Sequence, residues 1–222
     1  MKPSFPNTAK TGAMTLIEVL VVIAIIVVVL AYTAIPINRS TKSKTTVCMK
    51  NLHLIGSGYF MWSEANDDKF PWQVPVINGG TEELIPNGQA FDHFLVLSNY
   101  PIQPTRLVCP TDNSRSEAED YEHFSNRNLS YFADLVTRTN SPTVSILAGD
   151  RHLQADGQPL KPGLFAYSRN ITVGWTHELH SNSGGASLGV LLFADGHGET
   201  KREQLTEVFQ RGNLATNLLV IP

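Results

Sequence analysis

An uncharged apolar stretch near the N-terminus constrains this chain more than any other feature. From Val19 to Asn38 there is no charged residue, and most positions are Val, Ile, Leu or Ala. About 20 apolar residues in a helix, at a rise of about 1.5 Å per residue, match the roughly 30 Å hydrocarbon core of a bilayer. The sequence therefore predicts a membrane-spanning helix that is kinked where it meets Pro36.

A single carboxylate, Glu18, stands at the start of this stretch. An unpaired charge in lipid costs at least a few kcal/mol, so Glu18 is expected to have a partner. Lys2 and Lys10 are the only charged residues before it, which favours a cytoplasmic N-terminus. The alternative is an ordinary secretory signal peptide, but such peptides have a shorter apolar segment, and residues 31–34 make a poor cleavage site.

The segment Thr15-Leu16-Ile17-Glu18 and the apolar run after it resemble the class III signal of type IV pilins and type II secretion pseudopilins. In that family a prepilin peptidase removes a short basic leader, and Glu is the fifth residue of the new, N-methylated chain. The resemblance implies cleavage between Ala13 and Met14, with Gly12 one place before the usual glycine. It also implies that Glu18 pairs with the terminal amine of a neighbouring subunit during filament assembly.

Three later segments resemble a bacterial group of pseudopilin-like proteins. Residues 48–56 match the pattern C-x-x-N-L-x-x-I-G, and residues 109–112 match C-P-x-D. The third resembles the prepilin-type H-x9-DG segment, in which Asp195 and Gly196 match, whereas His180 lies further upstream than the pattern has it. By this resemblance, Cys48 and Cys109 are expected to pair.

Pairing is also compatible with the chemistry of the two cysteines. Cys48 and Cys109 both lie after the predicted span, where oxidising conditions permit a disulfide. Such a bridge stabilises a fold by about 4 kcal/mol for a loop of this length. The alternative is a pair of unpaired buried thiols. The chain has no C-x-x-C motif, so neither thiol catalysis nor a cysteine metal site is indicated.

The chain divides into four predicted segments. Residues 1–13 are the leader, and residues 14–37 are the transmembrane and filament-core helix. Residues 38–68 form an amphipathic stem, and residues 69–222 form a periplasmic globular α+β head. The stem has one apolar face, because apolar residues recur in it at steps of three and four. These residues are Cys48, Leu52, Ile55, Tyr59 and Trp62.

Segments with strand character occur late, at residues 129–135, 144–148, 188–194 and 217–221. A helix followed by a late set of strands is typical of an α+β order. The predicted fold class is therefore α+β, with a long N-terminal transmembrane helix that continues into the stem and packs on a C-terminal antiparallel sheet. Asp195-Gly196 predicts a two-residue hairpin turn, since Gly accepts the positive φ of a type I′ turn.

Histidines and carboxylates gather near the C-terminal hairpin. His177, His180 and His197, together with Glu178 and Asp195, are a candidate zinc or other divalent metal site. The alternative is structural: a histidine bonds a carbonyl or the aspartate, and Asp195-Gly196 forms the turn. No nucleophile and base pairing is visible, so we expect no enzymatic activity and no cofactor.

The predicted function is that of a pilin-like structural subunit of a type II secretion or type IV pilus-like filament. By resemblance, its partners are prepilin peptidase, other pilin or pseudopilin subunits, an inner-membrane assembly platform and the lipid bilayer. A net charge of −3 and a pI near 6.1 make nucleic acid an unexpected partner. The predicted location is the bacterial inner membrane in a single pass, with the head periplasmic, and later a periplasmic or surface filament. The alternative is a membrane-anchored binding module for a glycan or metal that never polymerises.

Overall fold

The computed structural model describes residues 15–34, 41–178, 180, 187–202, 204–211 and 217–222. The chain forms two compact units, residues 1–38 and residues 39–222. In the first unit, helix α1 covers Leu16–Ala34. The predicted cleavage residues Ala13 and Met14 lie outside the described residues, and so does the predicted kink at Pro36.

The predicted fold class is wrong in its transmembrane helix. Within the described parts of the chain, no helix combines the length and the apolar character needed to cross a membrane. Helix α1 carries Glu18 in its first turn, and residues 35–40 after it lie outside the described residues. The structure instead has a modest helical share, a six-stranded antiparallel sheet and a three-stranded sheet.

The predicted location is wrong for the same reason. A single-pass protein of the bacterial inner membrane, with a cytoplasmic N-terminus and a periplasmic C-terminal domain, requires a spanning helix, which the described residues do not provide. The prediction that the chain is a transmembrane protein of the inner membrane is wrong for the same reason.

The second unit is built on nine strands within the described residues. In the larger sheet the order is β5-β9-β1-β2-β7-β8, the smaller sheet has the order β4-β3-β6, and all pairs are antiparallel. The strands are β1 (Tyr131–Asp134), β2 (Ile146–Asp150), β3 (Leu153–Ala155), β4 (Gln158–Pro159), β5 (Gly163–Tyr167), β6 (Val173–Trp175), β7 (Leu188–Phe193), β8 (Gly198–Arg202) and β9 (Asn217–Ile221).

Helix α2 (Thr41–Glu64) packs on one face of the larger sheet, chiefly against β7. Its predicted apolar face is the buried one, with Leu52, Ile55 and Tyr59 fully inaccessible to solvent. Gly56 allows close contact with the sheet, because a Cβ there would lie 2.6 Å from a terminal carbon of Leu192. Gly58 instead faces Ile102, outside the sheet.

Short helices cover the rest of this face. After α2 the chain runs through α3 (Ala90–Phe94) and six 3-10 helices before β1. In this region the buried aromatic side chains of Phe70, Trp72 and Phe94 pack against Tyr59 of α2. The 3-10 helices are Pro71–Gln73, Val76–Asn78, Glu82–Asn87, Leu95–Asn99, Pro104–Leu107 and Asn126–Asn128.

The opposite face of the larger sheet carries a second core. Alternate residues of β7 point to opposite faces, so Val190 and Leu192 lie in the core with α2 whereas Leu191 and Phe193 lie in the other. Trp175 of the three-stranded sheet and helix α4 (Thr206–Arg211) cover this second face. The sequence patterns did not indicate β3 to β6, which are short and separated by Gly, Pro and Asp.

The C-terminal hairpin joins β7 to β8 through a turn that differs from the predicted one. The amide of Gly196 donates to the carbonyl of Phe193, and the amide of Phe193 donates to the carbonyl of His197. The loop therefore has three residues, and only Gly196 has a positive φ, of 84°. This is the pattern of a type I turn followed by a left-handed glycine, so the turn is not the predicted type I′.

Replacing Gly189 with Ala is expected to destabilise the second core. A Cβ at Gly189 would lie 2.4 Å from the indole Cε2 of Trp175, a rigid group that is 2% exposed. Overpacking of this kind costs about 1–3 kcal/mol, which urea unfolding would measure. In a Trp175→Leu background the same change should cost much less, because the overlap is removed. An equal cost in both backgrounds would contradict this explanation.

Candidate functional site

Glu18 lies in a local hydrogen-bonded structure at the start of α1. Its Oε2 accepts from the backbone amide of Thr15 at 3.0 Å and from the Thr15 hydroxyl at 3.1 Å. In return, the Glu18 amide donates to the Thr15 hydroxyl at 3.4 Å. This is a capping box, in which residues at the N-cap and third helical positions satisfy each other's free amides. It holds the carboxylate at the N-terminal end of the helix, where the helix dipole favours negative charge.

Apart from Glu18, α1 is apolar on all sides and exposed from Leu16 to Leu30. Leu16 is 78% exposed, Val28 66% and Leu30 60%, and the apolar positions between them are similar. A helix that is apolar on every side is stable in water only when other apolar groups cover it. Among the described residues of the first unit, this exposed apolar surface carries one acid, Glu18.

In the second unit, the structure gathers Cys48, Cys109, Asp150 and His180 in one buried cluster. Cys48 comes from α2, Asp150 ends β2, and Cys109 and His180 come from loops. Cys48 and Cys109 are joined by a disulfide with a Cα–Cα distance of 5.3 Å. None of the four residues is more than 1% exposed.

His180 is the centre of this Cys–His–Asp cluster. Its Nε2 lies 3.4 Å from Asp150 Oδ2 and 3.5 Å from Cys109 Sγ. Its Nδ1 lies 3.2 Å from the hydroxyl of Thr45 and 3.3 Å from that of Thr111. The two ring nitrogens therefore face different groups, with hydroxyls on one side and the sulfur and the carboxylate on the other.

Asp150 is held by the sheet but is only partly satisfied. Its Oδ2 accepts from the backbone amide of Val190 at 2.8 Å. Among the described residues its Oδ1 has no hydrogen-bond partner, although the side chain is fully buried. A buried carboxylate oxygen without a partner is costly, so this atom marks a place where a cation or donor would be stabilised.

The structure places the three predicted histidines with different partners. His180 joins the Cys–His–Asp cluster, whereas His177 Nδ1 lies 2.9 Å from the hydroxyl of Ser187. His197 contacts Asp195 and stacks on Phe193 with ring centroids 4.4 Å apart. Within the described chain, the Cys–His–Asp cluster is the one group of metal-ligating side chains whose donor atoms lie close together.

Glu178 and Asp195 take structural positions. Glu178 Oε2 lies 2.9 Å from Nε2 of His152, which is two residues after Asp150 in the chain. Asp195 accepts from the His197 amide at 3.0 Å, which fixes the turn that Gly196 completes. Burial raises the pKa of Asp195, but hydrogen bonds from His197 outweigh this and lower it.

A second polar contact next to the cluster joins β2 to the loop after Cys109. Arg151 Nε donates to Asp112 Oδ2 at 2.7 Å, and the Arg151 Nη2 donates to Asp112 Oδ1 at 3.0 Å. Burial raises the pKa of Asp112, but hydrogen bonds from Arg151 and Ser114 and the charge of Arg151 lower it to about 2. This bidentate ion pair fixes the segment that carries Cys109.

A cleft of about 380 Å³ lies at the three-stranded sheet, lined in part by Gln154, Trp175, His177 and Gln204. Trp175 Nε1 is buried and has no partner within the described residues. The alternative binding module would act through the loop 175–180, of which only residue 179 lies outside the described residues. That alternative stays a prediction.

Sequence reasoning did not foresee the Cys–His–Asp cluster as one group. It named Cys48, Cys109 and His180, but as parts of two separate features, and it did not name Asp150. The one signal in the sequence for Asp150 was its position at the end of a buried apolar strand. Comparisons with known proteins add no further residues: the chain matches no family model, no curated protein and no solved structure.

Proposed function

We propose that this chain is a pilin-like structural subunit that is processed between Ala13 and Met14 by a prepilin peptidase and assembles into a filament through α1. The observation that carries the proposal is the exposed apolar surface of α1, which starts at a capped carboxylate. Copies of the same helix, packed side by side, would cover that surface.

Glu18 fixes how far neighbouring copies of α1 are shifted along one another in such packing. Residues on every side of the helix are apolar, so sliding one copy along another costs little in hydrophobic contact. A carboxylate buried without a partner is costly, and the amine created at Met14 is the nearest chemical partner in the sequence. The hydrogen bonds from Thr15 already hold the carboxylate at this end of the helix. Only one stagger then places a neighbour's amine against Glu18.

Replacing Glu18 with Ala is expected to abolish assembly. The variant should accumulate and be processed, but its share of the sedimented filament fraction should fall at least about tenfold, which corresponds to about 1.4 kcal/mol. Quantitative immunoblotting of that fraction measures the loss, and mass analysis of the N-terminal peptide establishes processing at Met14. Normal incorporation of Glu18→Ala would disprove the proposed role.

Thr15→Ala is the matched control. It removes the hydroxyl of the capping box, which costs about 1 kcal/mol of helix stability, but it keeps the carboxylate. If Glu18 acts by pairing with an amine, Thr15→Ala still assembles. If Glu18 serves only as a helix cap, both variants lose assembly to a similar degree. A mature terminus near Ile35 would instead indicate a conventional signal peptide and contradict the proposal.

A further inference from the structure

We propose that the reduced form of this chain binds a zinc ion at the Cys–His–Asp cluster, through Cys48, Cys109, Asp150 and His180. The oxidised form uses the same two sulfurs as a disulfide. The site is thus a buried cross-link with two chemical states, a disulfide or a zinc site. It is independent of the filament function proposed above.

The distances around His180 match the edges of a zinc tetrahedron. With Zn–N and Zn–O near 2.1 Å and Zn–S near 2.3 Å, tetrahedral geometry separates N from O by about 3.4 Å and N from S by about 3.6 Å. In the structure, His180 Nε2 lies 3.4 Å from Asp150 Oδ2 and 3.5 Å from Cys109 Sγ. All four donor atoms lie within 4.8 Å of one another.

The sulfur–sulfur edge is the part that depends on oxidation state. Two thiolates on one zinc ion stand about 3.8 Å apart, against about 2.05 Å in a disulfide. The sulfurs must therefore separate by less than about 2 Å, and we expect rotation of the two cysteine side chains to provide this separation. Oxidised, the sulfurs are bonded to each other and are not available as thiolate ligands.

The surroundings of the cluster suit a metal-bound histidine. A histidine that ligates zinc through one nitrogen usually donates from the other to an oxygen, which fixes the tautomer. Here Nε2 faces the sulfur and the carboxylate, while Nδ1 faces the hydroxyls of Thr45 and Thr111. The amide of Val190 holds one oxygen of Asp150, and the other oxygen is buried with no partner among the described residues.

The ligand set selects the type of cation. Thiolate and imidazole donors favour zinc over magnesium or calcium, which prefer oxygen ligands. The zinc site forms from the disulfide in two steps. An external dithiol reduces the disulfide to two thiols and is itself oxidised to a disulfide; zinc then displaces the two thiol protons, which pass to solvent.

Cobalt substitution tests the site directly. The full chain is reduced with excess dithiothreitol in denaturant, desalted without oxygen and refolded with or without one equivalent of Co²⁺. Reduced wild type should show the visible bands of tetrahedral Co²⁺ and the ultraviolet band of thiolate-to-cobalt charge transfer. Zn²⁺ should displace the cobalt and remove both. The oxidised protein, given the same metal, should show neither band.

Two variants separate this site from adventitious binding. His180→Ala removes a ligand and should weaken zinc binding by more than the roughly 10–100-fold that a change outside the ligand shell causes. His177→Ala, which alters the neighbouring histidine bonded to Ser187, should leave the affinity unchanged. Equal loss in both, or equal binding by His180→Ala and wild type, would overturn the proposal.

If the reduced chain is unstable without metal, a refolding experiment still tests the proposed zinc site. Circular dichroism shows whether the reduced protein folds without metal. If the reduced wild type folds only when zinc is added, and reduced His180→Ala does not fold with zinc, the metal has replaced the disulfide as the cross-link. If reduced wild type remains unfolded with zinc, or folds without forming either cobalt band, no metal site exists here.

Discussion

Replacing Cys48 and Cys109 together with Ala lowers the free energy of unfolding by about 4 kcal/mol. The bridge spans 61 residues of sequence and joins α2 to the loop before β1, so it removes a large part of the freedom of the unfolded chain. Urea unfolding followed by tryptophan fluorescence measures the loss. Trp62, Trp72 and Trp175 are all buried in the second unit and report its unfolding.

Reduction provides the internal control for this prediction. In the presence of a chelator, dithiothreitol should destabilise the wild type to nearly the level of the double variant, and it should leave the double variant unchanged. The chelator matters because zinc at the reduced site would restore part of the stability. If oxidised wild type and the double variant unfold at the same urea concentration, the disulfide does not stabilise the fold.

Replacing Asp134 with Asn stabilises the protein at pH 8 by about 3–4 kcal/mol and has little effect at pH 4. Burial raises the pKa of Asp134 to about 7, against hydrogen bonds from the amides of Val136 and Leu218 that lower it. The native protein keeps the proton up to about pH 7, whereas the unfolded chain loses it near pH 4. Wild-type stability therefore falls as pH rises between these values, and Asn, which is always neutral, avoids this loss.

Asp112→Asn is expected to have the opposite effect, because it lowers the free energy of unfolding at neutral pH. The pKa of Asp112 is held near 2 by its contacts with Arg151 and Ser114, below that of an unfolded aspartate. Its contribution to stability is present above about pH 4 and is lost as pH falls towards 2, so the Asn variant should be about 2 kcal/mol less stable at pH 7. Urea unfolding of both variants from pH 2 to pH 8 measures the two slopes. Parallel pH profiles for wild type and Asp134→Asn would contradict the assignment for Asp134.

Local patterns were informative where one face or one short motif decided the structure. The steps of three and four along α2 identify the residues that the structure buries, because a helix that packs on a sheet must turn one stripe inward. The terminal strand at 217–221 is also where the sequence places it. The apolar stretch after Glu18 is helical as far as Ala34, and residues 35–40 lie outside the described residues.

The same local rules failed where several segments had to combine. Strands β3 and β6 are only three residues each, so neither shows a period that a sequence reading can detect. They are stable because they pair with each other and cover Leu191 and Phe193 of the larger sheet. Such pairing depends on distant residues, which no short window contains.

By itself, the sequence determined that the apolar stretch after Glu18 is helical, that α2 has one buried face, and that two cysteines are available to pair. The tertiary structure decided that Asp150 and His180 stand beside those cysteines. Asp150 is 102 positions from Cys48 by the numbering, and only the pairing of β2 with β7 and the packing of α2 on that sheet bring them together. Spacing along a chain limits which contacts are possible, but long-range packing chooses among them.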